Sequence, residues 1–144
     1  MIVFMDSFFT GYGNRIAGIV HLSPKESYEL CQKGAILLDV RPESLAIYKS
    51  FEVSNYLYCY HKEIEDHLEN LPKDKPIIVA DAVGLRSKEV VILLKGKEFH
   101  QVANMAGGIT DWEKDGLPLI VDNKQRLTGS CMCQLRAWGK NKEK

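Results

Sequence analysis

Three groups of residues in this chain are of types that do chemistry. The first is Asp81-Ala82-Val83-Gly84-Leu85-Arg86-Ser87, which follows the apolar run Ile77-Ile78-Val79-Ala80. A loop between a strand and a helix can turn successive backbone N–H groups toward one point. The helix N-terminus adds partial positive charge, so such a loop favours an anion. Gly84 permits the tight curvature, Arg86 adds a permanent charge at the rim, and Ser87 is placed to cap the helix that follows. The anomaly is Asp81, since a loop built to hold a negative group here carries one of its own. Its carboxylate is expected to sit in the ring of amides of residues 82–87 and accept their hydrogen bonds.

The second group is Cys131 and Cys133, within the stretch Gly129-Ser130-Cys131-Met132-Cys133-Gln134-Leu135-Arg136-Ala137-Trp138. Residues two apart in extended chain point to the same side, so both thiols could approach the loop mouth together. Arg86 and the helix N-terminus would favour a thiolate there, and Asp81 would oppose it. The third group is Cys59 and His61, which repeat the one-residue spacing and could join the tail pair around a tetrahedral ion. That spacing is shorter than zinc pairs usually have, so no metal and no cofactor is assigned. Asp81 as a phosphate-accepting nucleophile is also disfavoured. No second acid lies two residues on, and no carboxylate cluster is evident beyond Asp39. The neighbours of His21, His67 and His100 suggest core or surface roles.

The elements that must position these groups can be read from punctuation and period. Ser23-Pro24-Lys25-Glu26 is a helix start, with Ser23 as N-cap, Pro24 at the first helical position and Glu26 completing a capping box. This helix runs to about Lys33, stops at Gly34, and carries Cys31 as a small core residue. The run Ala35 to Asp39 suits a strand buried on both faces, with Asp39 at its carboxyl end. A short helix over 45–49 and a strand near 56–58 follow. Ile64, His67, Leu68 and Leu71 predict an amphipathic α-helix over 61–71, ended by Pro72. The strand 77–80, a helix through 88–94 ending at Gly96, a strand over 99–104, the permissive Gly107-Gly108 turn and a helical stretch over 109–114 complete the alternation. Strands and helices alternating at this spacing predict a parallel α/β domain, in which ligands bind beyond the carboxyl ends of the strands. Asp39 and Asp81 both fall there.

Composition bounds the partners. Nineteen basic and nineteen acidic residues cancel, and the only local cluster, Lys140, Lys142 and Lys144, reads as a solvated tail, so no nucleic-acid partner is expected. The apolar N-terminus lacks a basic leading region and is interrupted by Asp6, which argues against a signal or a membrane span. Four cysteines, two of them one residue apart, make no disulfide scaffold, and a cytoplasmic location is expected.

Three pieces of the chain, in order, resemble the rhodanese family of single-domain sulfurtransferases. Leu37-Leu38-Asp39-Val40-Arg41 looks like its early strand end. Ile77 through Ser87 looks like its active loop, CxxGxRS after an apolar strand. Met105-Ala106-Gly107-Gly108-Ile109 through Trp112 to Gly116-Leu117-Pro118 resembles its closing signature. The resemblance covers about 22–119 and implies a rhodanese-like α/β fold, a central parallel sheet flanked by helices on both faces. Residues 1–21 would be an N-terminal extension, 22–120 the domain and 121–144 a tail.

In that family the loop cysteine holds a sulfane sulfur as a persulfide and passes it to an acceptor. Here that position is Asp81, which cannot form a persulfide, so the resemblance makes it an inactive nucleophile position, with Asp39 and Arg41 as supports. The family's HIPGA segment is degenerate, reading approximately Glu52-Val53-Ser54-Asn55-Tyr56. Four residues separate Asp81 from Arg86, a loop one residue shorter than the related phosphatase type. Two functions stay open: a sulfur-handling protein, thiosulfate sulfurtransferase-like if active, whose chemistry has passed to Cys131 and Cys133, or a non-catalytic anion- or protein-binding regulatory module. The implied partner is a small sulfur-containing anion or a protein sulfur carrier. Oligomeric state is not legible.

Overall fold

The computed structural model describes residues 8–121. Its centre is a six-stranded sheet in the order β1-β2-β7-β6-β3-β5. The strands are β1 (Asn14–Ile16), β2 (Ile19–Leu22), β3 (Ile36–Asp39), β5 (Tyr56–Tyr58), β6 (Ile77–Ala80) and β7 (Val102–Met105). All pairings are parallel except that of β1 with β2. A two-stranded sheet pairs β4 (Lys49–Phe51) antiparallel with β8 (Leu119–Val121).

The apolar runs fall where burial on both faces demands them. Every residue of β3, β6 and β7 is buried, and alternate side chains serve two core layers. Leu37, Ile78 and Ala80 pack with Leu30 of α1 (Pro24–Gln32) and with Ile109 and Trp112 of α4 (Gly108–Lys114). Ile36, Leu38 and Val79 face Val90, Val91 and Leu94 of α3 (Leu85–Gly96), together with Ile64. Helices therefore cover both faces. α2 (Glu43–Tyr48) buries Ala46 in the first layer.

The capping box forms as expected: Glu26 N donates to Ser23 Oγ at 3.1 Å, and Ser23 N donates to Glu26 Oε1 at 2.9 Å. The second carboxylate oxygen of Glu26 accepts from Gly13 N at 2.9 Å, tying the N-terminal hairpin to α1. That hairpin belongs to the sheet. β2 pairs with β7, so the expected boundary between an extension at 1–21 and a domain from 22 falls inside a strand.

Two elements depart from expectation. The segment His61–Asn70 is a 3-10 helix, not an α-helix, and His67 leaves helical geometry at φ −127° and ψ 21°. Ile64 is its one buried side chain, too sparse an anchor to impose continuous α-helical winding. The helix after the loop begins at Leu85, with Gly84 as N-cap in the left-handed region at φ 98°, so Ser87 lies inside the first turn and does not cap it.

Candidate functional site

Asp81 directly follows β6, and its side chain turns back under its own loop with 4 % exposure. Gly84 N donates to Oδ1 at 2.5 Å, Arg86 N to Oδ2 at 2.7 Å and Ser87 N to Oδ2 at 3.3 Å. Both oxygens are thus engaged by amides at the start of α3, where the helix dipole favours negative charge. Ala82, Val83 and Leu85 shape the loop: Val83 and Leu85 are 52 % and 69 % exposed, and Ala82 O accepts from Thr110 N at 3.1 Å.

The loop is held by close backbone packing against the glycine pair. A Cβ at Gly108 (φ +57°) would lie 2.4 Å from Asp81 O and 2.5 Å from Ala82 C, and one at Gly84 would lie 3.0 Å from Gly107 N. Ile109 N donates to Asp81 O at 2.9 Å. The closing glycines of the sequence signature therefore let α4 dock on the loop.

Beneath the carboxylate runs a polar relay that the sequence reading missed. Ser87 Oγ lies 2.5 Å from Asn104 Oδ1 and 3.3 Å from Asp81 Oδ1. A hydroxyl has one proton, and the shorter contact assigns it to Asn104. Asn104 Nδ2 lies 3.1 Å from His21 Nδ1. The amide nitrogen only donates, so Nδ1 accepts, which requires the neutral ring with its proton on Nε2. Burial, with Lys88 nearby, lowers the His21 pKa and favours that neutral form. A signal was present: Asn104 is a polar residue in an otherwise apolar strand, at the carboxyl end next to the loop.

Asp39 and Arg41 are paired with each other, and Arg41 also lines the cavity above the loop. Arg41 Nε donates to Asp39 Oδ1 at 2.9 Å and its terminal nitrogen to Oδ2 at 2.7 Å, a bidentate pair with both side chains buried. Tyr56 OH donates to Asp39 Oδ2 at 2.7 Å, and Arg41 also donates to Lys49 O at 2.8 Å. Burial works against the Arg41 charge, but the charge and hydrogen bonds of Asp39, together with Tyr56 and Tyr58, outweigh it and the pKa is raised. Burial, and then the Asp39 charge, hold the Tyr56 phenol well above its ordinary value.

Above the loop opens a cavity of about 300 Å³ lined by Val40, Arg41, Pro42, Leu45, Tyr60, His61, Lys62, Asp81, Ala82 and Arg86. The Arg86 side chain is 61 % exposed, lies 3.4 Å from Glu89 and stands at the rim of this cavity. Tyr60, His61 and Lys62 join the site from the segment that follows β5, a placement no local pattern announces.

Neither described thiol lines this cavity. Neither Cys31 nor Cys59 is in a disulfide and both are buried, and burial pushes the Cys31 thiol up to about 12, leaving it protonated and inert. Among the described residues no group of three or more metal-ligating side chains comes together, and no helix is long and apolar enough to cross a membrane. Cys131 and Cys133, and with them the idea of a shared metal site with Cys59 and His61, lie outside the described residues.

A family model described as rhodanese-like domain matches residues 23–115. Thiosulfate sulfurtransferase GlpE of Haemophilus influenzae is 29% identical over 102 residues, 68% of this chain and 91% of that protein. The GlpE protein of Ectopseudomonas mendocina is 28% identical over 92 residues, 63% of this chain and 82% of that one. Among solved structures, a rhodanese-related protein from Thermoplasma volcanium superimposes with a TM-score of 0.63 at 27% identity, covering 69% of this chain and 96% of that one. A NAD-dependent persulfide reductase from A. fulgidus is similar at a TM-score of 0.55 and 30% identity, covering 65% of this chain but 16% of that one.

Proposed function

The chain belongs to the rhodanese-like domain family, and we propose that it is a member whose loop does not carry sulfur, because the anion cradle is closed by Asp81. The observation that carries this reading is the engagement of both Asp81 oxygens by the amides of Gly84, Arg86 and Ser87. A guest anion would have to displace a carboxylate that is covalently tethered and already hydrogen-bonded. We read the protein as a cytoplasmic, non-catalytic regulatory module that uses the cleft above the loop to bind a small sulfur-containing anion or a protein sulfur carrier. A second reading rests on the burial of Cys31 and Cys59: any sulfur transfer by this chain would need Cys131 or Cys133.

Thiosulfate-to-cyanide transfer tests both. In that reaction a thiolate attacks the sulfane sulfur and sulfite leaves with the bonding pair. Cyanide then takes the sulfur as thiocyanate and the thiolate is restored. The expected result is no turnover by the wild-type chain and measurable turnover by Asp81→Cys, whose thiol would sit under the same amides. Wild-type turnover abolished in a Cys131→Ser/Cys133→Ser double variant assigns the chemistry to the tail thiols. Wild-type turnover that survives this double change overturns both readings.

A further inference from the structure

We propose that the mouth of the cleft is a second anion site, outside the closed cradle, that takes an organic monoanion with an apolar body, of the aryl or alkyl sulfonate or carboxylate class. The inference deepens the binding-module reading and rests on it, since a closed cradle leaves the mouth as the place for a guest.

The charge count selects a monoanion. Arg41 is neutralised by its bidentate partner Asp39, and Asp81 contributes one negative charge beneath the mouth. Lys62 has no carboxylate partner among the described residues. Arg86 has Glu89 at 3.4 Å, with both side chains more than 60 % exposed, a pair of the weak, solvent-screened kind that leaves most guanidinium donors available. The balance is about one positive charge, to which a protonated His61 would add.

His61 reports the sign of the local field. Its pKa is lowered first by burial and then by Arg86 and Lys62, whose influence exceeds the opposing pull of Glu89 and Asp81. These groups face it from α3, from the end of β6 and from its own segment, where the Tyr60 ring lies 4.6 Å from the imidazole. His61 N donates to Val40 O at 3.0 Å, which fixes the ring's origin at the cleft wall.

The rest of the lining selects an apolar body. Val40, Pro42, Leu45 and Tyr60 give the cavity carbon surface beside its cations. Leu45, on its wall, is 46 % exposed. Concave carbon surface with a few convergent charges is how small-ligand sites are built, the carbon for affinity and the charges for orientation. An inorganic dianion would use the charges and leave the carbon wet.

The test titrates the histidine ring protons by NMR with benzenesulfonate as the probe, whose charge is constant across the histidine range. His61→Gln assigns the His61 resonance. The expected result is saturable binding that raises the His61 pKa, because a nearby anion favours the imidazolium, so binding tightens as pH falls through the histidine range. Lys62→Gln and Arg86→Gln should each weaken binding about tenfold, and both keep the backbone amides of the loop. Methanesulfonate and thiosulfate should bind at least about tenfold more weakly, since the apolar transfer is lost. A His61 titration unmoved by benzenesulfonate, or binding indifferent to both Gln variants, overturns the proposal. Thiosulfate binding as tightly as benzenesulfonate overturns the apolar-body class, and binding that appears only in Asp81→Ala moves the site into the cradle. None of these results bears on the sulfur-transfer assay, which judges the closed cradle by itself.

Discussion

Asp39 is the last residue of β3 and Asp81 the first after β6, and β3 and β6 are neighbouring parallel strands with Asp39 opposite Ala80. Both acids are buried, at 0 % and 4 % exposure, yet they are compensated in different ways. Asp39 is held by a side-chain cation, a phenol and one amide, that of Arg41, whereas Asp81 is held chiefly by backbone amides at a helix terminus. A cation left behind without its acid is a buried net charge. Amides left behind without their acid are an open anion site. The same residue type at equivalent strand ends thus does structural work in one place and governs ligand access in the other.

The sharpest way to break this comparison is Asp39→Ala. It strands the Arg41 guanidinium and should cost about 3–5 kcal/mol in urea denaturation. A loss under about 1 kcal/mol would mean the pair is not the buried unit described. Next comes Gly108→Ala, where a methyl group would be driven into Asp81 O and Ala82 C at positive φ. The expected cost is about 3 kcal/mol, and because α4 would lift the loop, amide exchange at Gly84 and Arg86 should accelerate with it.

Asp81→Ala should cost less, about 1–3 kcal/mol for donors left without an acceptor. Unlike Asp39→Ala, it should be partly rescued by millimolar sulfate filling the vacated amides. Thermal melts with and without the salt read this difference directly, and equal rescue of both variants would erase the contrast.

The smallest expected effect is at His21. Its folded pKa is lowered, so the unfolded chain takes up the proton more readily. This contribution is complete above the ordinary histidine value of 6.5 and is lost as pH falls through the lower folded value. Protonation also removes the lone pair that accepts from Asn104. His21→Gln should therefore flatten the pH dependence of stability below 6.5, and an unchanged slope would detach His21 from the relay.

The loop and its occupant were legible in sequence because both are local. A tethered carboxylate can reach amides three to six residues away whatever the rest of the chain does, and Gly84 marks where the backbone must turn. The capping box at Ser23 and Glu26 was legible for the same reason. The N-terminal hairpin read as an extension because its short strands carry little period of their own. Their status comes from pairing with β7, some eighty residues away. The segment after Tyr60 has helical spacing, but its winding depended on how much apolar surface the neighbouring layer could offer. Ser87 was read as a cap because caps are local, whereas the partner of its hydroxyl, Asn104, belongs to β7.

By itself the amino-acid order determined the alternation of strands and helices, the glycine turns and the acid facing its own amides, since each depends on contacts within a few residues. Only the tertiary structure decided which side chains gather over that acid. His61 and Lys62 line one cavity with Arg86, and His21 reaches Ser87 through Asn104. Such meetings depend on strand order and register, long-range pairings that a local pattern does not encode.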